Sequence, residues 1–145
     1  MYAMVKRKIF GPHLTLDLND CNSEKLSDFN LVFDVLNDLP DKIGMTKITQ
    51  PYVFKYSGLV PEDKGITGFV VIAESHISIH TFQEKKYAFV DIFSCKPFNY
   101  NLAQQYLIDT FESQKPTVNM LMRGVDFPRE TISQEKQKTR LISAV

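Results

Sequence analysis

Only two cysteines occur in the 145 residues, Cys21 and Cys95, and their spacing fits neither a metal-binding motif nor a disulfide framework. Both read as reduced thiols, and for Cys21 nothing more is implied. Seventeen Lys and Arg residues are offset by seventeen Asp and Glu, so no bulk field draws the chain to nucleic acid or to an anionic membrane. No stretch approaches the roughly 20 apolar residues that a membrane-spanning helix needs. The opening MYAMVKRKIF has no long apolar segment after its basic residues, so a signal peptide is not expected there. Internal repeats are absent. What these absences leave is a cytoplasmic globular protein with no metal, nucleic-acid or membrane partner. Its 43% hydrophobic and 23% charged residues match that class and suffice for a core.

What is present is patterned. His13-Leu14-Thr15-Leu16-Asp17-Leu18 alternates with period two, which predicts a strand within residues 4–18 with the leucines on one face. Asn22 or Ser23 caps a helix whose apolar stripe is Leu26, Phe29, Phe33, Leu36 and Leu39, with Pro40 and Gly44 marking its end. A strand is expected over residues 47–55, where Pro51 signals an edge or a bulge, followed by an exposed loop over 57–65. Residues 68–73 form an apolar, β-branched run of the buried-strand type. Residues 76–82 and 87–95 read as a hairpin turning at 83–86. A second helix over 101–112 and a last strand over 118–122, ended by Gly124, complete the pattern. Runs of strands with two interposed helices predict an α+β fold: a two-layer sandwich of a mainly antiparallel sheet with helices on one face. One domain, residues 1–128, would be followed by a polar tail, 129–145, that contains QEKQKTR.

Ser75, His80 and Cys95 form the candidate site. Cross-strand partners in an antiparallel pair share a constant index sum. A turn centred near Glu84–Lys85 makes that sum about 169 to 171, so Ser75 lies opposite residues 94 to 96, with Cys95 the middle choice, and His80 opposite 89 to 91. A hydroxyl, a thiol and an imidazole are thus expected to converge near the start of one strand. Parity opposes this, because residues five apart on an unbroken strand face opposite sides. A bulge, a bend or a chain break at Ser75 would remove the conflict. Taken singly, each residue has an ordinary structural role: a strand-end serine, a hydrogen-bonded strand histidine and a buried thiol.

The run AESHISIHTFQE, followed by YAFVDIFSC, resembles the processing site of the small prokaryotic S-adenosylmethionine decarboxylases. That family's pattern is E-S-H, then I-H-T with an aromatic residue and Glu, then D-hydrophobic-F-[ST]-C. GPHLTLD resembles the family's opening strand, and the likeness covers most of residues 10 to 125. The resemblance implies that the Ser75 hydroxyl attacks the Glu74 carbonyl, turning the amide into an ester. Loss of the Ser75 Cα proton to His80 then expels the Glu74 carboxylate. The chain is cut between Glu74 and Ser75, and residue 75 becomes a pyruvoyl group, the enzyme's covalent cofactor. Histidine suits the proton-accepting role because its ordinary pKa is about 6.5. The pyruvoyl carbonyl forms a Schiff base with a substrate amine and draws electrons as carbon dioxide leaves. Cys95 is implied as the proton donor to the resulting carbanion, since an ordinary thiol, pKa about 8.5, is mostly protonated at neutrality.

His13 and His76 are expected to be structural or supporting histidines, and Thr67 either aids processing or caps a strand. The chain departs from the family in three places. Phe82 and Gln83 stand where the family has tryptophan and proline, Lys96 replaces the glycine after the cysteine, and the 59–65 loop is longer, with Leu59 where an adenine-stacking aromatic is common. Phe54 or Tyr56 would take over the stacking, with Phe82 and Phe98 near the same mouth. These aromatics favour S-adenosylmethionine as the small amino-acid-type substrate and decarboxylated S-adenosylmethionine, for spermidine and other polyamines, as the product. Arginine or ornithine, the substrates of relatives on the same scaffold, would instead need carboxylates such as Glu62 and Asp63 for a distal cation. A non-catalytic regulatory homologue is the reading from another class, and a Cys–His hydrolase lacks an orienting third group. Family members assemble at least as dimers, so a homodimer of cleaved alpha/beta units is expected.

Overall fold

The computed structural model describes residues 8–128. Within it the alternating leucines do form a strand, β1 (Gly11–Asn19), and the helical stripe divides into α1 (Ser23–Leu26) and α2 (Phe29–Lys42). The division has a local cause. Asn22 caps α1, accepting from the Glu24 and Lys25 N–H groups at 3.0 and 3.3 Å, and Asp28 caps α2, accepting from Leu31 N–H at 3.0 Å. Pro40 does not end the helix; it sits in the last turn of α2, and Gly44 terminates it at φ +74°.

β2 (Tyr52–Tyr56) begins directly after Pro51; upstream of it only Lys47 bridges to the sheet, at Ile72. β3 (Gly65–Ile72) starts three residues earlier than the sequence pattern suggested, because Gly65 lies against the Thr81 carbonyl oxygen where a Cβ would overlap it. β4 (Ser75–Phe82) and β5 (Tyr87–Ser94) are the expected hairpin, turning through a 3-10 turn at Gln83–Lys85 with Lys86 at φ +51°. α3 (Tyr100–Phe111) and β6 (Lys115–Arg123) follow. The polar 129–145 segment and the first residues of the expected 4–18 strand lie outside the described residues.

The six strands run in the order β2-β3-β4-β5-β1-β6, every neighbour antiparallel. One face is apolar and closed. Leu14, Leu16, Leu18, Val70, Ile72, Ile77, Ile79, Val90 and Ile92 are each at most 2% exposed and join Val35, Leu36 and Leu39 of α2 and Ala103, Leu107 and Phe111 of α3 in one core. The helices therefore cover a single face, as expected of the α+β sandwich. Residues of opposite parity, His76, Ser78, His80, Phe89, Asp91 and Phe93 among them, lie on a face that carries no helix.

Candidate active site

β3 turns into β4 through two residues, Ala73 and Glu74, so Ser75 is the first residue of its strand. Its φ is +156°, a backbone conformation that residues with a side chain seldom adopt. The ladder nevertheless runs unbroken through Ser75, which pairs with the buried Ile72 and Ser94, so Ser75 keeps the parity of Ile77 and Ile79 and the bulge or bend that parity called for is not found. The main-chain carbonyl of Glu74, the one Ser75 would attack, accepts the Cys95 N–H at 2.9 Å. The Glu74 carboxylate is nearly buried; it accepts Thr46 N–H at 3.2 Å and faces Lys96 Nζ at 3.3 Å. Burial opposes its ionisation, but hydrogen bonds from the Thr46 and Glu74 N–H groups and from Lys96 outweigh that and hold its pKa below the ordinary carboxylate value.

The register pairs Ser75 with Ser94, an index sum of 169 at the low end of the expected range. Cys95 thus stands opposite Glu74 rather than Ser75, as the serine's diagonal neighbour. Close approach of β1 completes this corner: a Cβ on Gly11 would overlap the Ser94 carbonyl oxygen and come within 2.8 Å of the Cys95 Cα. Gly11 is legible in the sequence only as part of GPHLTLD, and its role depends on β1 lying beside β5.

His80 is not brought to this corner. It pairs with Thr67 on one side and Phe89 on the other, and its Nδ1 lies 3.1 Å from the Thr67 hydroxyl. Five residues of strand separate it from Ser75, about 16 Å at the usual rise. The expected convergence of all three side chains within one chain is therefore corrected. Ser75 and His80 keep opposite parity on an unbroken ladder, and the distance between them along β4 is set by the count of residues. The aromatics expected at the substrate mouth divide in the same way. Phe54 pairs with Thr67 and Tyr56 with Gly65, both more than half exposed, and Phe82 meets Phe89 edge-on at 6.0 Å, so all three belong to the His80 end. Phe98, by contrast, is 9% exposed, packs against Tyr100 and belongs to the core. Leu59 is fully exposed, and Asp63 is engaged by Lys85 at 2.6 Å.

At the Ser75 end the open face carries a cluster that the sequence pattern left unassembled. Arg123 stacks 4.1 Å over the Phe93 ring and donates to His13 Nδ1 at 3.3 Å, while His13 Nε2 donates to Asp91 at 3.0 Å. His76 meets the Phe93 ring edge-on at 5.7 Å. His13 and His76 are thus joined through a ring two positions before Cys95. Cys21 lies at the far end of β1; burial pushes its thiol up to about 11, and its Sγ donates to the Leu18 carbonyl, an inert structural thiol.

An antiparallel sheet with helices on one face, bearing a serine where a tight turn enters a hairpin and a cysteine one residue past its cross-strand partner, is a framework that suits a pyruvoyl-dependent carboxy-lyase. Comparison with known proteins gives the particular family: residues 12–124 match the S-adenosylmethionine decarboxylase family, and the chain belongs to it. It is 36% identical over 126 residues to the S-adenosylmethionine decarboxylase proenzyme of Thermodesulfovibrio yellowstonii, covering 86% of this chain and 84% of that protein. The proenzyme of Prochlorococcus marinus is 34% identical over 79% of this chain and 90% of its own length. Among solved structures, the adenosylmethionine decarboxylase of Aquifex aeolicus superposes with a TM-score of 0.70 at 25% identity, covering 86% of this chain and 98% of that one. Among the described residues no helix is long and apolar enough to cross a membrane.

Proposed function

We propose that this chain is a proenzyme that cuts itself between Glu74 and Ser75 and then, with a pyruvoyl group on residue 75, decarboxylates S-adenosylmethionine in the cytoplasm to supply polyamine synthesis. One observation carries the reading: the Glu74 carbonyl accepts a hydrogen bond from Cys95 N–H in a two-residue turn, directly before a serine in a strained conformation. That N–H stabilises the negative charge that develops on the carbonyl oxygen as the Ser75 hydroxyl attacks. The attack converts the amide to an ester. A base then removes the Ser75 Cα proton, the Cα=Cβ bond forms, and the Cβ–O bond breaks with its electron pair leaving on the Glu74 carboxylate; the dehydroalanyl end tautomerises to an imine, and addition of water with loss of ammonia gives the pyruvoyl group. The pyruvoyl group supplies a carbonyl that captures the substrate amine and withdraws electrons as carbon dioxide departs. Cys95, one residue past the cross-strand partner of residue 75, is the proton donor to carbon in this scheme.

His80 is the processing base, acting on the Ser75 of a second copy. The separation of about 16 Å along one strand is too long for proton transfer, which needs hydrogen-bond reach. The helix-free sheet face, with Phe69 and Phe89 about two-fifths exposed, is the surface on which that copy sits. Two copies packed face to face about a two-fold axis set each Ser75 end over the partner's His80 end, with Thr67 orienting His80. A homodimer of cleaved units then contains two complete sites. The choice of substrate rests on the same division, since Phe54, Tyr56 and Phe82 stand beside His80 and offer stacking faces to a nucleoside. Asp63, one of the two loop acids that a distal cation would use, is already paired with Lys85.

Denaturing mass spectrometry with and without borohydride tests the reading. Two fragments meeting at the Glu74–Ser75 bond, with only the C-terminal one gaining mass on reduction, are expected. So is faster carbon dioxide release from S-adenosylmethionine than from arginine or ornithine. A single full-length mass after prolonged incubation counts against self-processing, while a preference for arginine or ornithine overturns the substrate alone.

A further inference from the structure

Lys96 follows Cys95 just past the end of β5, and its side chain reaches the turn that precedes Ser75. Its surroundings give that side chain a task. Lys96 Nζ lies 3.3 Å from Glu74 Oε1 and donates to the Gly44 carbonyl at 3.0 Å, just past the C-terminal end of α2, where the helix dipole favours a cation. Its main chain is fixed as well: Lys96 N–H donates to Ser94 Oγ at 3.0 Å, and that hydroxyl donates to the Lys96 carbonyl at 2.7 Å. The residue before it, Cys95, holds the Glu74 carbonyl. Two consecutive residues therefore grip the residue before the cut at both of its oxygen-bearing groups.

We infer that Lys96 is a positioning residue for self-cleavage, pinning the Glu74 turn through its carboxylate and offsetting the charge of the Glu74 α-carboxylate as it leaves. This rests on the self-processing reading above. Both chemical steps place negative charge on the main-chain carboxyl group of Glu74, first when Ser75 Oγ adds to the carbonyl and then when the Cβ–O electron pair departs with it. After the cut, Glu74 is a chain end with two carboxylates in place of one, and the Lys96 ammonium already lies 3.3 Å from the side-chain one. Glycine at position 96 offers the same main-chain geometry but neither the pin nor the charge.

The experiment follows the appearance of the two fragments in freshly made proenzyme for the parent, Lys96→Gln, Lys96→Gly and Lys96→Arg, and for Glu74→Gln with and without Lys96→Gln. The Lys96 side chain is about half exposed, so the pair is screened and the effect bounded. Lys96→Gln and Lys96→Gly are expected to slow cleavage roughly five- to tenfold, and Lys96→Arg to restore most of the parent rate. High salt should slow the parent and leave Lys96→Gln unchanged. Adding Lys96→Gln to Glu74→Gln should slow cleavage less than adding it to the parent, because the pin is already gone. Cleavage of Lys96→Gln and Lys96→Gly at the parent rate overturns the inference, as does an arginine variant as slow as the glycine variant. Should Lys96→Gly fold poorly, the salt response of the parent against Lys96→Gln decides. A parent that never cuts removes the self-processing reading itself, an outcome distinct from uncoupled variants of a parent that does.

Discussion

β4 carries two chemistries on alternate residues. Ile77, Ile79 and Thr81 point into the core at 2% exposure or less, whereas His76, Ser78 and His80 stand on the open face. Ile77 and Ile79 act by volume and apolarity, while Thr81 also accepts the Ile66 N–H at 2.9 Å and donates to the Leu26 carbonyl of α1 at 2.8 Å. The outward set is defined by atoms, and its members matter only for what they touch, Thr67 and Phe89 for His80 and Phe93 for His76. Ser75 continues the inward parity at the first position of the strand, next to the proposed cut. Substitutions on the two faces should accordingly fail in different ways, one in stability and the other in chemistry.

The sharpest break is at Ser75 itself. Ser75→Ala should abolish the cut and the amine-reactive carbonyl completely while leaving thermal unfolding close to that of the uncleaved parent, because no buried contact is removed. Fragment formation by Ser75→Ala would show that another residue is the nucleophile. Next in size is His80→Ala, for which loss of a general base predicts cleavage slowed by about 10²- to 10⁴-fold. The two-copy site adds a stricter expectation. Co-expressed with Ser75→Ala, the His80→Ala chain should be cut at a rate that neither variant reaches alone, since its partner supplies the missing imidazole. Mass-tagged chains read this directly, and failure to complement would confine His80 to its own chain or to no role.

On the inward face, Ile79→Ala should cost about 2 to 5 kcal/mol of stability through lost burial and the cavity left behind. The rate of cleavage per folded molecule should hardly change. Urea unfolding on a Ser75→Ala background measures the first, and a fragment time course the second. A large loss of cleavage rate without loss of stability would mean that the two faces are not separable.

Much of the fold and of the candidate site is legible in the amino-acid sequence, and the remainder divides by range. The period-two leucines of β1, the β4–β5 hairpin and its index sum are local patterns, so their register falls within the expected range and Cys95 lies one residue past the cross-strand partner of Ser75. The motif that points to the family lies within the same local run. Sheet order is not local: nothing in residues 11–19 says that β1 sits between β5 and β6, so neither the Gly11 approach to Cys95 nor the Arg123–His13–Asp91 cluster can be assembled from the sequence. The split of the 22–44 helix at Asp28 escapes the pattern because the apolar stripe continues across it while the caps do not. The expected meeting of His80 with Ser75 fails on simple length, a count of residues that index sums do not weigh.

The smallest expected effect sharpens the comparison on the open face, at His76. Burial is the main force lowering its pKa from the ordinary 6.5; the nearby His13 and Arg123 add to that, and Asp91 opposes it. Those three and the Phe93 ring are the groups it faces, on β1, β5 and β6. A histidine whose folded pKa is depressed binds its proton more weakly in the native chain than in the unfolded one. Its contribution to stability is therefore intact above 6.5 and falls as pH drops from there towards the folded value, because the unfolded state takes up the proton first. The core residues beneath it do not titrate, so this dependence belongs to the open face alone. Uncleaved Ser75→Ala protein should lose melting temperature on acidification from neutrality, and the added substitution His76→Gln should flatten that loss. Parallel curves for the two proteins would mean that His76 is no more shielded in the fold than in the open chain.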